Sequence, residues 1–278
     1  MIIVKLMGGL GNQMFQHAYT ILISNQYKGK IIQDLSFYYA KLKKNTTPRL
    51  YLLNKFNIQA YPFVKKNIYD TAFKSFSKIG VTKYLNDDSF SDPLNHPFTY
   101  LDGYWQRFDY LEKIRDILLS DFKLINEDAI KKHKHYNAII KNNSVAIHIR
   151  RGDYVSSDKT SKIHGLCDLD YYKNAIKLTS EKVLNPHFFI FSDDYQWIND
   201  NFSFLDNKEI ISPNDSNPEE DLILMSKCAN FIIANSSYSW WAAWLATNPN
   251  KMVISPKKWV NDSSHSTNNL IPKNWISL

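Results

Sequence analysis

Val145-Ala146-Ile147-His148-Ile149-Arg150-Arg151-Gly152-Asp153-Tyr154 is a short apolar strand that runs directly into two arginines and a Gly-Asp turn. It begins a series in which strand patterns at 145–149, 187–192, 230–234 and 251–254 alternate with helical patterns at about 170–182, 219–228 and 239–247. Such alternation predicts a mainly parallel sheet, with ligands at the carboxyl ends of its strands. Residues two apart on a strand share a face, so His148 and Arg150 project together while Arg151 points elsewhere. A guanidinium ending a buried strand is costly without an anion, and its planar fork suits a phosphate. The run therefore reads as half of a phosphate site.

The front of the chain carries a similar pattern. Ile2–Leu6 reads as a strand, Gly8-Gly9-Leu10-Gly11 as a turn, residues from about Asn12 to Tyr27 as a helix, and Ile31–Gln33 as a second strand: a βαβ unit. Residues 41–99 mix Tyr, Phe, Lys and Asn with few clean periods. Tyr100–Gln106 reads as another strand, and Tyr110, Ile114, Ile117 and Leu118 stand at helical spacing. The polar Lys131–Asn143 stretch reads as the crossing to a second domain. The expected architecture is α/β, with two Rossmann-like domains, 1–140 and 141–278, facing across a cleft.

At 278 residues, 44% hydrophobic and 22% charged, the composition is that of a soluble globular protein. No apolar stretch reaches bilayer length, and Met1–Lys5 is too short for a signal-peptide core, so a cytoplasmic location is expected. Two cysteines, Cys167 and Cys228, make neither a disulfide framework nor a metal-ligand set. Residues 1–140 hold 20 Lys and Arg against 12 Asp and Glu, a net of +8, whereas residues 141–278 hold 14 against 15, a net of −1. The lysines of the front half are scattered and build no nucleic-acid motif. A weak attraction to an anionic membrane face remains as an expectation.

Several motifs support both a chemical and a structural reading. Gly9 and Gly11 let a ligand approach the backbone, and Asn12 adds an amide; alternatively they form a tight turn with a helix cap. With Asp34 the same loop imitates a dinucleotide fingerprint, but Met14 occupies the third glycine position, so an NAD(P)-dependent oxidoreductase is the weaker reading. Phe188-Phe189-Ile190-Phe191-Ser192-Asp193-Asp194 ends a buried strand in carboxylates that suit a base edge or a ribose, or that cap the next helix. Asn235-Ser236-Ser237-Tyr238-Ser239 starts a helix whose N–H groups favour an anion, or simply caps it. Glu219-Glu220-Asp221 reads first as a complement to a helix dipole. No metal-binding spacing is present. Abundant Trp and Tyr also fit a non-catalytic carbohydrate-binding protein.

Together, Gly8–Gln16, His148–Tyr154 and Ile233–Ala243 resemble the α1,2-fucosyltransferases of glycosyltransferase family 11, as do Gly103-Tyr104-Trp105-Gln106 and the Asp221–Cys228 run. The resemblance spans residues 1 to about 260 and is loosest over 41–99, where acceptor choice is expected to be set. It implies a GT-B-like enzyme that moves L-fucose from GDP-fucose to the 2-hydroxyl of a terminal galactose, inverting and without metal or other cofactor. It implies an acceptor in surface polysaccharide or O-antigen synthesis, a repeat unit on a lipid carrier or a free oligosaccharide. Carried over, Arg150 holds the donor diphosphate, His148 lies near the nucleotide, and Asp193 or Asp194 reads guanine or ribose beside Ser192. Asn235, Ser236, Ser237 and Ser239 hold phosphate at the helix start, while Gly9, Gly11 and Asn12 lie near the fucose or acceptor. Asp153 is the candidate base, with a turn carboxylate paired to an arginine as its alternative.

Overall fold

The computed structural model describes residues 1–41, 48–87, 95–152, 165–212, 214–261 and 269–278. It forms two compact units, each built around one wholly parallel sheet. The first runs from Met1 to Lys123 and takes back a short segment ending at Leu270; the second begins at Leu124. The division thus falls before the expected 140/141 position. The reason is that the chain from Asp128 to Lys141, which takes in most of the stretch expected as a crossing, forms two short helices that bury Ile130 and Ile139. These helices are tied to the second unit by Lys134 on Asp215 at 2.7 Å and by His135 on Glu209.

In the first unit β1 (Ile2–Lys5) leads through a glycine turn to α1 (Leu10–Ser24) and β2 (Ile31–Asp34). The stretch without clear periods supplies β3 (Phe63–Val64), α2 (Tyr69–Ser77) and β4 (Lys83–Asn86), before β5 (Thr99–Asp102). The strand order is β3-β2-β1-β5-β4, so the connections change direction between β1 and β5 while the strands stay parallel. β5 is shorter than the strand expected over Tyr100–Gln106. The carboxylate of Asp87 draws in the N–H groups of Tyr104 and Trp105, each at 2.7 Å, and turns the chain out of the sheet. Trp105 takes a left-handed φ of 56° and is buried against the ring of Tyr19 at 4.6 Å.

α1 is buried on nearly every side and carries Gln13, Gln16, His17 and Thr20 into the interior. Buried polar groups need partners, and all of these but the His17 Nδ1 have them among the described residues. Gln13 accepts from Leu52 N at 2.9 Å and donates to Leu50 O at 2.8 Å. Gln16 accepts from Met7 N and donates to Gly103 O, both at 2.9 Å, joining the turns that follow β1 and β5. His17 meets Asp121 at 2.9 Å.

In the second unit β6 (Ser144–Ile149) is buried at every position. It is followed by α3 (Leu169–Lys182), β7 (His187–Ser192), α4 (Tyr195–Asn201) and β8 (Lys208–Ile211). Then come α5 (Pro218–Met225), β9 (Asn230–Ile232), α6 (Ser237–Leu245), β10 (Val253–Ser255) and β11 (Ile276–Ser277). The order β11-β10-β9-β6-β7-β8 puts β6 between β7 and β9, where the connections change direction. Val145, Ile147 and Ile149 pack on one face with Tyr172, Ile176, Phe188 and Phe202. His148 therefore faces the other side. The continuous apolar strands fit a sheet covered on both faces.

Replacing Gln16 by Met keeps the volume but strands Met7 N and Gly103 O. With each unpaired group costing about 1–3 kcal/mol, urea unfolding should lose about 2–6 kcal/mol. An unchanged unfolding free energy would remove Gln16 as the tie between the two turns.

Candidate active site

At the carboxyl edge of the second sheet, His148 pairs in register with Phe191 and Ile149 with Ser192, while Ile147 faces Ile232 across β9. The chain leaving β6 therefore emerges between the Asp193–Asp194 turn and the Asn235–Ser237 turn. This is the topological switch point, where open α/β sheets bind ligands.

Asp193 organises the arginine run. One of its oxygens accepts from the backbone N–H of Arg151 at 2.9 Å and of Gly152 at 3.1 Å, and the other pairs with the Arg150 guanidinium. Burial alone would raise the Asp193 carboxyl, but Arg150 and the two N–H groups outweigh it and hold the carboxyl below its ordinary value. A Cβ at Gly152 would lie 2.9 Å from the Asp193 carboxylate and would press it away from these partners. Arg151, which the strand pattern pointed away from Arg150, pairs with Asp194 at 3.1 Å and lies 4.4 Å over the Trp197 ring. Asp194 also caps α4 by accepting from Trp197 N at 3.1 Å, and its own N–H donates to Ser192 Oγ at 2.9 Å. The carboxylates thus meet arginines and backbone: Asp193 takes Arg150, and Asp194 serves as the helix cap that was its alternative.

His148 is buried, its ring 5.5 Å from that of Tyr238, and its Nδ1 has no hydrogen-bond partner among the described residues. Burial pushes its imidazole down to about 4; Asp193 pulls upward and Arg150 presses down. Across the switch point, Asn235 is turned inward, donating to Trp259 O at 3.1 Å and accepting from Cys167 at 3.6 Å. Ser236 caps α6, and Ser239 is buried and donates to Ser236 O at 3.3 Å. Ser237, half-buried, opens the helix. What faces outward here is the first turn of a helix rather than the Asn235 amide.

Residues that the sequence reading gave no part in the site also border this place. Tyr238 donates to Pro218 O and lies within the fields of Asp221, Glu219 and Arg150. Burial raises the Asp221 carboxyl to about 6, a Ser216 hydroxyl opposing and the neighbouring carboxylates adding to it. Glu219 is buried with one oxygen unpartnered among the described residues. Only Glu220 behaves as a helix-start acid should, completing a capping box with Asn217. An apolar or acidic pattern in sequence carries no sign of which helix-start acids turn inward.

In the first unit the corresponding edge lies between β1 and β5. Gly8 has a φ of +82°, which favours glycine. Gly9 caps α1 without a side chain, and Gly11 is buried in the first turn. Asn12 Oδ1 accepts from Gln106 Nε2 at 2.8 Å. Tyr38 donates to Gly8 O at 3.2 Å. Asp153 lies outside the described residues. Among the described residues, no group of three or more His, Cys, Asp or Glu side chains is placed to hold a metal ion, and no helix is long and apolar enough to cross a membrane.

The family model Glycosyl transferase family 11 matches residues 1–278. The chain is 32% identical to the O-antigen biosynthesis glycosyltransferase WbnK of Escherichia coli, covering 98% of this chain and 99% of the relative. It is 34% identical to an alpha-1,2-colitosyltransferase of Escherichia coli, covering 100% and 98%. Among solved structures it is similar to the fucosyltransferase NodZ from Bradyrhizobium, with a TM-score of 0.57 at 13% identity and 96% of each chain covered. That likeness shows the fold, a GT-B architecture of two parallel α/β units. With relatives matched over nearly their whole length and a family match across the same residues, the chain is a glycosyltransferase and belongs to glycosyl transferase family 11.

Proposed function

We propose that the protein transfers L-fucose from GDP-β-L-fucose to the 2-hydroxyl of a terminal galactose, with inversion and without a metal, on a glycan of the O-antigen type. The observation that carries this reading is Arg150, which ends the central strand of the second sheet at its switch point, aimed by Asp193 beside the start of α6. The acceptor oxygen attacks the anomeric carbon as its bond to the β-phosphate breaks, so negative charge gathers on the leaving GDP. Arg150 and the helix start meet that charge with fixed donors, usually the largest contribution such a site makes. The acceptor's proton goes to Asp153 or to a phosphate oxygen of the donor. Neutral His148 lies against the nucleotide, and Asn12 serves the transferred sugar or its acceptor. The basic front half favours an acceptor held at an anionic membrane surface.

A second donor has one specific observation behind it: the 34%-identical relative is a colitosyltransferase. Incubation with GDP-fucose or GDP-colitose and a panel of β-galactosides, with product linkage read by NMR, separates the two. Fucose on the galactose 2-hydroxyl is the expected product. Colitose transfer alone would replace the donor, and transfer to another position would overturn the acceptor assignment.

In the same assay Arg150→Lys should lose roughly a hundredfold or more in kcat, because an ammonium cannot reproduce the two-pronged contact. Near-native turnover would remove Arg150 from the diphosphate. His148 gives a pH test. Unfolded, it takes a proton near its ordinary 6.5; folded, only near about 4. Acidification between those values therefore favours the unfolded chain. His148→Gln should abolish this component, so the stability difference between variant and native protein should shift in the variant's favour as the pH falls through that window. A difference independent of pH would contradict a neutral, buried His148.

A further inference from the structure

We infer that one surface of the first unit, carried by Phe37, Tyr39, Leu50, Phe63 and Ile68 with the lysines beside them, docks the protein on an anionic lipid bilayer. The inference rests on the proposed acceptor at an anionic membrane surface and gives that contact a place on the chain.

Residues 35–69 hold seven Lys and Arg and eight aromatic side chains, with no Asp or Glu. The acids at either end of this stretch are spent inside the unit. Asp34 is buried and accepts from the Tyr100 hydroxyl at 2.6 Å and from Ser36 N at 2.8 Å. Asp70 is buried against Lys74 and the Tyr84 hydroxyl, each at 2.9 Å. No carboxylate within the stretch offsets its cations.

The same stretch turns large apolar side chains outward. Phe37, Tyr39 and Phe63 are about half exposed, Leu50 is 73% exposed and Ile68 59%. Scattered apolar residues on a surface mean little, whereas neighbouring ones mark a contact. These are neighbours. The short helical turn Ser36–Tyr39 follows β2, and β3 pairs with β2 in parallel, so both segments leave the sheet at its carboxyl edge. Lys65, the first residue after β3, sets its ammonium 4.7 Å over the Tyr39 ring and 5.7 Å over that of Phe63. Ile68 shares the turn after β3 with Lys66, donating its N–H to Lys66 O at 2.9 Å. From Phe37 a line of rings runs to Tyr38 at 5.1 Å and on to Tyr51 at 5.8 Å, next to Leu50.

Charge and polarity choose the occupant. A bilayer with anionic headgroups meets lysines at its surface, aromatic rings at the headgroup level and aliphatic side chains just below. An acidic glycan would satisfy the lysines but leave Leu50 and Ile68 in water. A second copy of the chain would bring like charges together.

Co-sedimentation with phosphatidylglycerol–phosphatidylethanolamine vesicles, against vesicles of phosphatidylcholine alone, reads the contact. The native protein should bind the anionic vesicles roughly tenfold or more tightly, and high salt should remove the preference. Lys65→Ala with Lys66→Ala should weaken binding roughly twenty-five-fold, about fivefold per lysine. Leu50→Ser with Ile68→Ser should weaken it roughly tenfold or more. Lys177→Ala with Lys182→Ala removes the same charge from exposed positions of α3 in the second unit and should bind as the native protein does. With a soluble β-galactoside every variant should keep native kcat and KM. Native binding that neither surface pair weakens more than the α3 pair would overturn the surface while leaving the membrane reading. A raised galactoside KM with unchanged vesicle binding would overturn it in favour of the acceptor sugar. A native protein that ignores anionic vesicles would overturn the membrane reading itself.

Discussion

The carboxylate of Asp193 takes two backbone N–H groups and one guanidinium at the end of β7, and the geometry of the second unit's edge follows from it. An arginine that ends a buried strand has many rotamers and one useful direction. Without a fixed carboxylate beside it, Arg150 would have to be ordered at the moment an anion arrives, at a cost in side-chain entropy. Asp193 meets that cost during folding. Its bonds to Arg151 N and Gly152 N also shape the turn from which Arg150 leaves, so backbone and side chain are set by the same group. The absence of a Cβ at Gly152 leaves the Asp193 carboxylate undisturbed.

The first unit solves a similar problem with amides. The turn after β1 and the turn after β5 carry polar backbone that no strand satisfies, and α1 reaches both with Gln16 while Gln13 secures Leu50 and Leu52. Charged side chains at these buried positions would carry a heavy desolvation cost. An amide can donate and accept at once, which is what a group facing one backbone N–H and one carbonyl requires. Both sheets therefore place their adaptable residues at carboxyl edges and hold them from behind with buried polar groups.

Much of the second unit was legible because its strands are short, continuous apolar runs bounded by turns. The 187–192 strand has the expected bounds, and those of 145–149 and the 170–182 helix move by a residue. Residues 41–99 were not legible, for a physical reason. β3 has two residues, and α2 buries only Asp70 and Phe73, so neither leaves a hydrophobic period. Asp70 is buried because Lys74 at 2.9 Å and the Tyr84 hydroxyl at 2.9 Å meet it there. A charged residue used as core reads as surface in any pattern. Trp105 misled in the opposite sense: an apolar residue continuing a strand pattern sits in a left-handed turn because Asp87, distant in sequence, draws in its N–H.

By itself the sequence determined the alternating elements, the parallel sheets and the edge on which polar residues would gather. These depend on local periodicity and on the rule that buried strands are apolar. The tertiary structure decided which charges pair. The strand pattern turns Arg151 away from Arg150 without naming its partner, and the structure spends it on Asp194 and Trp197, while Arg150 is the one aligned by Asp193. Asn235 reads as a ligand and is spent on Trp259 and Cys167. Such choices depend on the register of strands and turns that are neighbours only in space, and a difference of one residue in register would exchange the partners.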